Sequence, residues 1–251
     1  VNIPDFDAPL QKAGGNSNAW TSADFTCFHN ILPAHNIDTA LWLESDRMLS
    51  LSFSDKALEV QRSVVIEEFK QVCLNRPYGD MSHLLHKMSF SGTPYETPVI
   101  GRDFHDIEKT TQQDVRSWFF SHYGPDSPRS MAPFRHPAPS VVEASGKVPN
   151  TVITLAYPMG AYKSADYIPA DLITDILANG QSSRFYRRLL TPGKHFAGID
   201  ASILGSELPG ILMVNATLLH TGAQAEKEAV DAIDREIRRL REEPVEQAEL
   251  D

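Results

Sequence analysis

Between Gly124 and Pro149 the chain places six prolines in a stretch with little hydrophobic periodicity. Proline fixes φ and has no backbone N–H, so such a stretch neither continues a helix nor sits inside a sheet. It reads as a linker. A chain of 251 residues divided there is expected to fold as two halves. Residues 1–126 form the first, residues 127–149 the linker proper, and residues 150–251 the second. Apolar residues make up 41% of the chain, enough for a buried core.

The local signals on either side are mixed. Gly14-Gly15 makes a turn, and the Thr-, Phe- and Trp-rich stretches Asn18 to Thr21 and Asp24 to His29 read as strands. Asp38 is expected to cap a helix to about Leu49, and Ser54 or Asp55 another to about Asn75, broken by Arg76 to Asp80. A further helix is expected from Met81 to about Met88. Thr111 to Asp114 resembles a capping box that opens a helix to about Tyr123. Beyond the linker a strand is expected over Thr151 to Tyr157, then two helical stretches flanking Asn179-Gly180-Gln181. Paired strands over Gly198 to Ser206 and Gly210 to Leu219 follow, then a charged amphipathic helix from about Ala223 to Glu243. Strands and helices in blocks rather than strict alternation predict an α+β fold with antiparallel sheets.

Composition excludes several functions. A net charge of −10 argues against nucleic acid or an anionic membrane surface as a main partner. No apolar run reaches the roughly 18 residues of a membrane span. The two cysteines, Cys27 and Cys73, are too few for a disulfide framework and read as separate thiols.

One helix carries a position that periodicity singles out. Within Gln61 to Phe69, Glu68 has Val64 and Val65 one turn before it and Val72 one turn after. It lies on the apolar stripe, whereas Glu67 is turned about 100° away beside Ser63, Lys70 and Gln71. A carboxylate on a buried stripe needs a cation, a metal or a donor to meet it. A salt-bridged or snorkelling side chain satisfies that need as well as a metal does. His83 and His86 sit three apart on a helix, a ligand-compatible spacing, but no acidic or thiol cluster accompanies them. They read as ordinary histidines.

The Glu67-Glu68 pair follows Val64-Val65-Ile66 on a helix preceded by Trp42-Leu43-Glu44-Ser45-Asp46-Arg47-Met48. This resembles the helix that supplies the third zinc ligand in the insulinase (M16, inverzincin) metallopeptidases. The resemblance makes Glu68 that ligand. Gly14 to Ser22 resembles the family's GGxxNAxT strand, which lies along the cleft and pairs with the substrate backbone as an added strand. It carries substrate binding over to Asn18 and Ala19. Asp171 to Leu190, with Gly180 and Ser182-Ser183-Arg184, resembles the opening of a second family domain.

The resemblance implies a LuxS/MPP-like metallohydrolase fold in two related halves. It also implies a zinc-dependent endopeptidase as parent, with peptide or unfolded polypeptide as substrate and an M16-like domain or subunit as partner. The HxxEH motif that gives the other two ligands and the general base occurs nowhere in the chain, so no general base is assigned here. The motif is expected upstream of Val1, and the chain by itself is expected to hold no zinc. A non-catalytic M16-like scaffold or peptide-presenting subunit is the alternative. Gln61 stands where the family often has an acid. Leu189 and Phe196 stand nearest to a family arginine and tyrosine, and the strand and helix that finish the family's first domain are not found near Asp126. Export in a bacterium is suggested by analogy alone.

Overall fold

The computed structural model describes residues 6–49, 51–123 and 136–250. The chain divides into two compact units, Val1–His83 with Thr97–Pro133, and Leu84–Glu96 with Phe134–Asp251. The stretch 127–135 of the expected linker, like Asp126, lies outside the described residues. Residues 136–149 carry no helix or strand.

In the first unit a short helix α1 (Asp7–Lys12) leads into an antiparallel hairpin, β1 (Asn16–Thr21) and β2 (Thr26–Ile31). Helices α2 (Ile37–Leu49) and α3 (Asp55–Phe69) follow. Helix α3 starts where Ser54 caps it: the Ser54 Oγ accepts the Ala57 N–H at 3.2 Å. It ends in a π turn, Lys70–Leu74. The chain then doubles back so tightly that a Cβ on Gly79 would lie 2.3 Å from the Cys73 carbonyl oxygen, so only glycine closes this turn. Helix α4 (Met81–Phe90) crosses from one unit's residues to the other's. Helices α5 (Phe104–Lys109) and α6 (Gln112–His122) complete the first unit. The Thr111–Asp114 capping box opens α6, with both reciprocal bonds formed.

Ser54→Ala is expected to destabilise the first unit by about 1 kcal/mol. All three tryptophans, Trp20, Trp42 and Trp118, belong to this unit. A lowered denaturant midpoint in tryptophan fluorescence at unchanged slope is the check.

The second unit is built on a three-stranded antiparallel sheet ordered β3–β5–β4, with β3 (Val152–Pro158), β4 (Phe196–Leu204) and β5 (Ile211–Leu218). Alternation on β5 buries Val214, Ala216 and Leu218 on one face. There they meet Leu177 of α7 (Tyr167–Ala178) and Ala229, Ala232 and Ile233 of α8 (Ala223–Glu242). Residues 229, 233 and 236 recur at helical spacing, which explains why this charged helix has one buried stripe. On the opposite face Ile211 packs with Phe90, Tyr95 and Leu208, and the Leu208 N–H donates to the Tyr95 hydroxyl. Further along that face Thr154, Asn215 and Asp200 form a hydrogen-bonded row across the three strands. A short helix α9 (Gln247–Leu250) follows α8. The fold is α+β with antiparallel sheets, as expected.

Candidate functional site

Glu68 lies in the last turn of α3, and its carboxylate is exposed, with no hydrogen bond or ion pair among the described residues. The inward placement expected from periodicity is not found. Val64, one turn before Glu68, and Val60, one turn before that, are 54% and 57% exposed. That side of the stripe is uncovered among the described residues, whereas Val65 and Val72 on the other side of Glu68 are half-buried. Glu67 is exposed as well and pairs with Lys70 at 2.7 Å. Gln61 lies in a shallow groove between α3 and α5, beside Leu58, Val65 and Ile107.

The described residues do not by themselves fit a zinc ion: they contain no group of three His, Cys, Asp or Glu side chains placed to hold a metal. His83 and His86 have other work. Their ring nitrogens bond the carbonyl oxygens of Gly101, at 2.8 Å, and Tyr95, at 2.7 Å. Cys27 and Cys73 are free thiols, and burial raises the Cys73 pKa, offset in part by Arg76. Leu189 and Phe196 belong to the core of the second unit.

Asn18 and Ala19 sit midway along β1, opposite His29 and Phe28. The Ser22 N–H donates to the Phe25 carbonyl at the hairpin end. Backbone groups alternate direction along a strand, so the N–H groups of Trp20, Asn18 and Asn16 face β2. Those of Thr21, Ala19 and Ser17 face the other edge, which pairs with no strand among the described residues. The Ala19 N–H is met there by the Asn18 side chain, whose Oδ1 accepts at 2.8 Å. This edge can take an added strand once the Asn18 side chain turns aside.

Periodicity and resemblance did not single out a second polar cluster in this unit. Glu44 of α2 accepts from Asn30 Nδ2 at 2.7 Å and pairs with Arg47, whose guanidinium carbon lies 4.1 Å from the centroid of the Phe28 ring. The i, i+3 spacing of Glu44 and Arg47 was visible, but their partners on β2 follow only from the fold.

Two family descriptions match the chain: "Insulinase (Peptidase family M16)" over residues 4–101 and "Peptidase M16 inactive domain" over residues 104–251. The chain is similar to the zinc protease PqqE of Helicobacter pylori, with 24% identity over 214 residues, 71% of this chain and 48% of that protein. A probable mitochondrial-processing peptidase subunit beta of Arabidopsis thaliana is 24% identical over 47% of this chain and 22% of its own length. The chain thus spans about half the length of the first of these relatives, and less of the second. Among solved structures, a protease from Helicobacter pylori superposes with a TM-score of 0.85 at 21% identity, over 98% of this chain and 67% of that one. A peptidase M16 inactive domain from Pseudomonas fluorescens superposes with a TM-score of 0.76 at 17% identity, over 98% and 66%. At such identities the superpositions establish the fold.

Proposed function

The chain belongs to the insulinase family of peptidases, M16, and on that premise we propose that it is part of a zinc-dependent endopeptidase acting on extended peptides. In this reading Glu68 is one ligand of a zinc centre whose other ligands, and whose general base, lie in sequence outside this chain. The substrate, a peptide or unfolded polypeptide, lies as an added strand along the outer edge of β1, using the backbone beside Asn18 and Ala19. An M16-like domain or subunit completes the cleft. Residues 1–126, 127–149 and 150–251 serve as part of a first peptidase domain, a linker and the first part of a second.

The observation that carries the reading is the exposure of Val60, Val64 and Glu68 on α3. Val60 and Val64 are neighbours one turn apart and more than half exposed, and Glu68 adjoins Val64 one turn on, its carboxylate without a partner among the described residues. Uncovered apolar side chains at helical spacing mark a surface that another segment packs on. The Glu68 carboxylate beside that surface is open to serve as the zinc ligand that the family resemblance assigns to it.

The family description over residues 104–251 carries the word "inactive", which favours the second reading, a non-catalytic scaffold or peptide-presenting subunit. Metal analysis and peptide hydrolysis on the full-length protein separate the two. The peptidase is expected to purify with stoichiometric zinc and to cleave unstructured peptides. A chelator should abolish cleavage and added zinc restore it. Peptide binding without zinc or cleavage identifies the scaffold. The chain alone is expected not to retain zinc; stoichiometric zinc lost on Glu68→Gln in the isolated chain would refute the assignment of the missing ligands.

A further inference from the structure

A two-stranded hairpin is marginal on its own, so what holds its face decides where its edge lies. On β2, Phe28 and Asn30 share one face, and the register sets them opposite Ala19 and Ser17. Those are two of the β1 residues whose backbone faces the open edge. From α2 the Glu44 carboxylate spans the interval, taking the Asn30 amide on Oε1 and the Arg47 guanidinium on Oε2. Arg47 lies over the Phe28 ring at 4.1 Å. The Arg47 and Glu44 side chains are 18% and 27% exposed. The Arg47 Nε is enclosed, with no hydrogen-bond partner among the described residues. Charge-assisted bonds of this kind are stronger than neutral ones and hold a fixed geometry, and a cation over an aromatic face adds to the hold.

We infer that Asn30, Glu44 and Arg47 are positioning residues, a latch that fixes the hairpin on α2 and so places the outer edge of β1 for an incoming peptide strand. The inference rests on the proposed reading of β1 as the peptide-pairing strand. The latch residues touch no peptide. They hold the cross-strand partners of the residues that do, so a change in the latch alters the presentation of the edge while every backbone group on it remains.

The test uses the full-length protein and a short fluorescein-labelled peptide of extended, proline-free sequence. Binding is read by anisotropy at a temperature where all variants are folded. Asn30→Asp sets a second carboxylate against Glu44, at the site of a 2.7 Å contact. It is expected to weaken binding about tenfold and to speed amide exchange across β1. Adding Glu44→Gln to Asn30→Asp reverses donor and acceptor, leaves a single carboxylate in the cluster, and keeps an amide oxygen to accept from Arg47. It is expected to bring the affinity back to within about threefold of the starting protein, since restoring a paired contact recovers its coupling. A residue with a merely structural role would lower the unfolding midpoint and leave the affinity of the folded protein unmoved. Unchanged binding in Asn30→Asp, or no recovery in the double variant, overturns the inference. Ala19→Pro separates this from the underlying reading. It removes the outward N–H at an edge position without touching the latch. If Ala19→Pro leaves binding unchanged, β1 is not the peptide strand and the reading falls. If Ala19→Pro weakens binding and Asn30→Asp does not, the reading stands and the latch falls.

Discussion

Glu68→Gln in the full-length protein is expected to cut peptide hydrolysis by roughly a hundredfold or more, because the metal's contribution to catalysis is worth several kcal/mol. Glu67→Gln should leave hydrolysis within about threefold, since it removes an exposed ion pair to Lys70 of the kind worth at most about 1 kcal/mol. The contrast is informative because the two residues are adjacent, equally charged and both exposed. They differ in direction: the two lie about 100° apart around the helix, Glu68 between Val64 and Val72 and Glu67 toward Lys70, with which it pairs. Zinc content gives a second readout, expected to fall in Glu68→Gln alone. Equal losses in both variants would show that the carboxylates act through general charge, and would remove the ligand assignment.

The second large effect concerns stability in the other unit. Arg184 is 2% exposed and donates through Nε and Nη2 to the two oxygens of Glu249, both at 2.9 Å. Its Nη1 is buried, with no partner among the described residues. The hydrogen bonds from Arg184 hold the Glu249 carboxyl at a pKa of about 2, well below its ordinary 4.5. Glu249→Gln takes from a buried guanidinium its hydrogen-bonded carboxylate, leaving only the weaker pull of Glu243 and Glu236, and is expected to destabilise the second unit by about 3 kcal/mol. Arg184→Met should cost less, because it also removes the buried cation and leaves Glu249 near Arg187, 3.6 Å away. The pH dependence has a definite sign. A carboxyl whose pKa is lowered by folding stabilises the folded state above its unfolded pKa. That contribution is lost as pH falls from about 4.5 toward about 2. Unfolding followed by far-ultraviolet circular dichroism should show this acid-induced loss in the unsubstituted protein and a smaller one in Glu249→Gln, where the lowered carboxyls of Asp166 and Asp231 remain. Tryptophan fluorescence, which reports the first unit, should not change. Loss of both signals together in Glu249→Gln would refute a local role for the pair.

Much of the fold was legible because the relevant signals are local. Ser54 and the Thr111–Asp114 pair announce helix starts through the bonds their side chains make within one turn. The stretches Gly198 to Ser206 and Gly210 to Leu219 announce a strand pair, found as β4 and β5. Helices α1 and α5 went unread because six residues with one proline or one aromatic show no usable period. The direction of Glu68 failed for a different reason. Periodicity says which side chains share a stripe, and it correctly grouped Val64 with Glu68. Whether a stripe is covered depends on a second element, and the sequence of one helix carries no information about that. The Glu44 cluster was hidden in the same way, since its partners Phe28 and Asn30 lie on a strand whose facing side is fixed only in the folded unit. The family resemblance identified the Gly14–Ser22 segment and α3 from short motifs, and both came out as the expected element types.

The bond between the Leu208 N–H and the Tyr95 hydroxyl joins residues 113 positions apart, and Phe90 is buried in the same cluster. A ribosome makes the chain in order, at about 5–20 residues per second, so roughly 6–23 s pass between the emergence of Tyr95 and that of its partner. Through that interval the aromatic segment 84–96 has been made and the strand that buries it has not. The second unit therefore cannot close as its own residues appear. A nascent chain halted shortly before Leu208 should present Phe90 and Tyr95 to holding chaperones, and release should coincide with completion of β5.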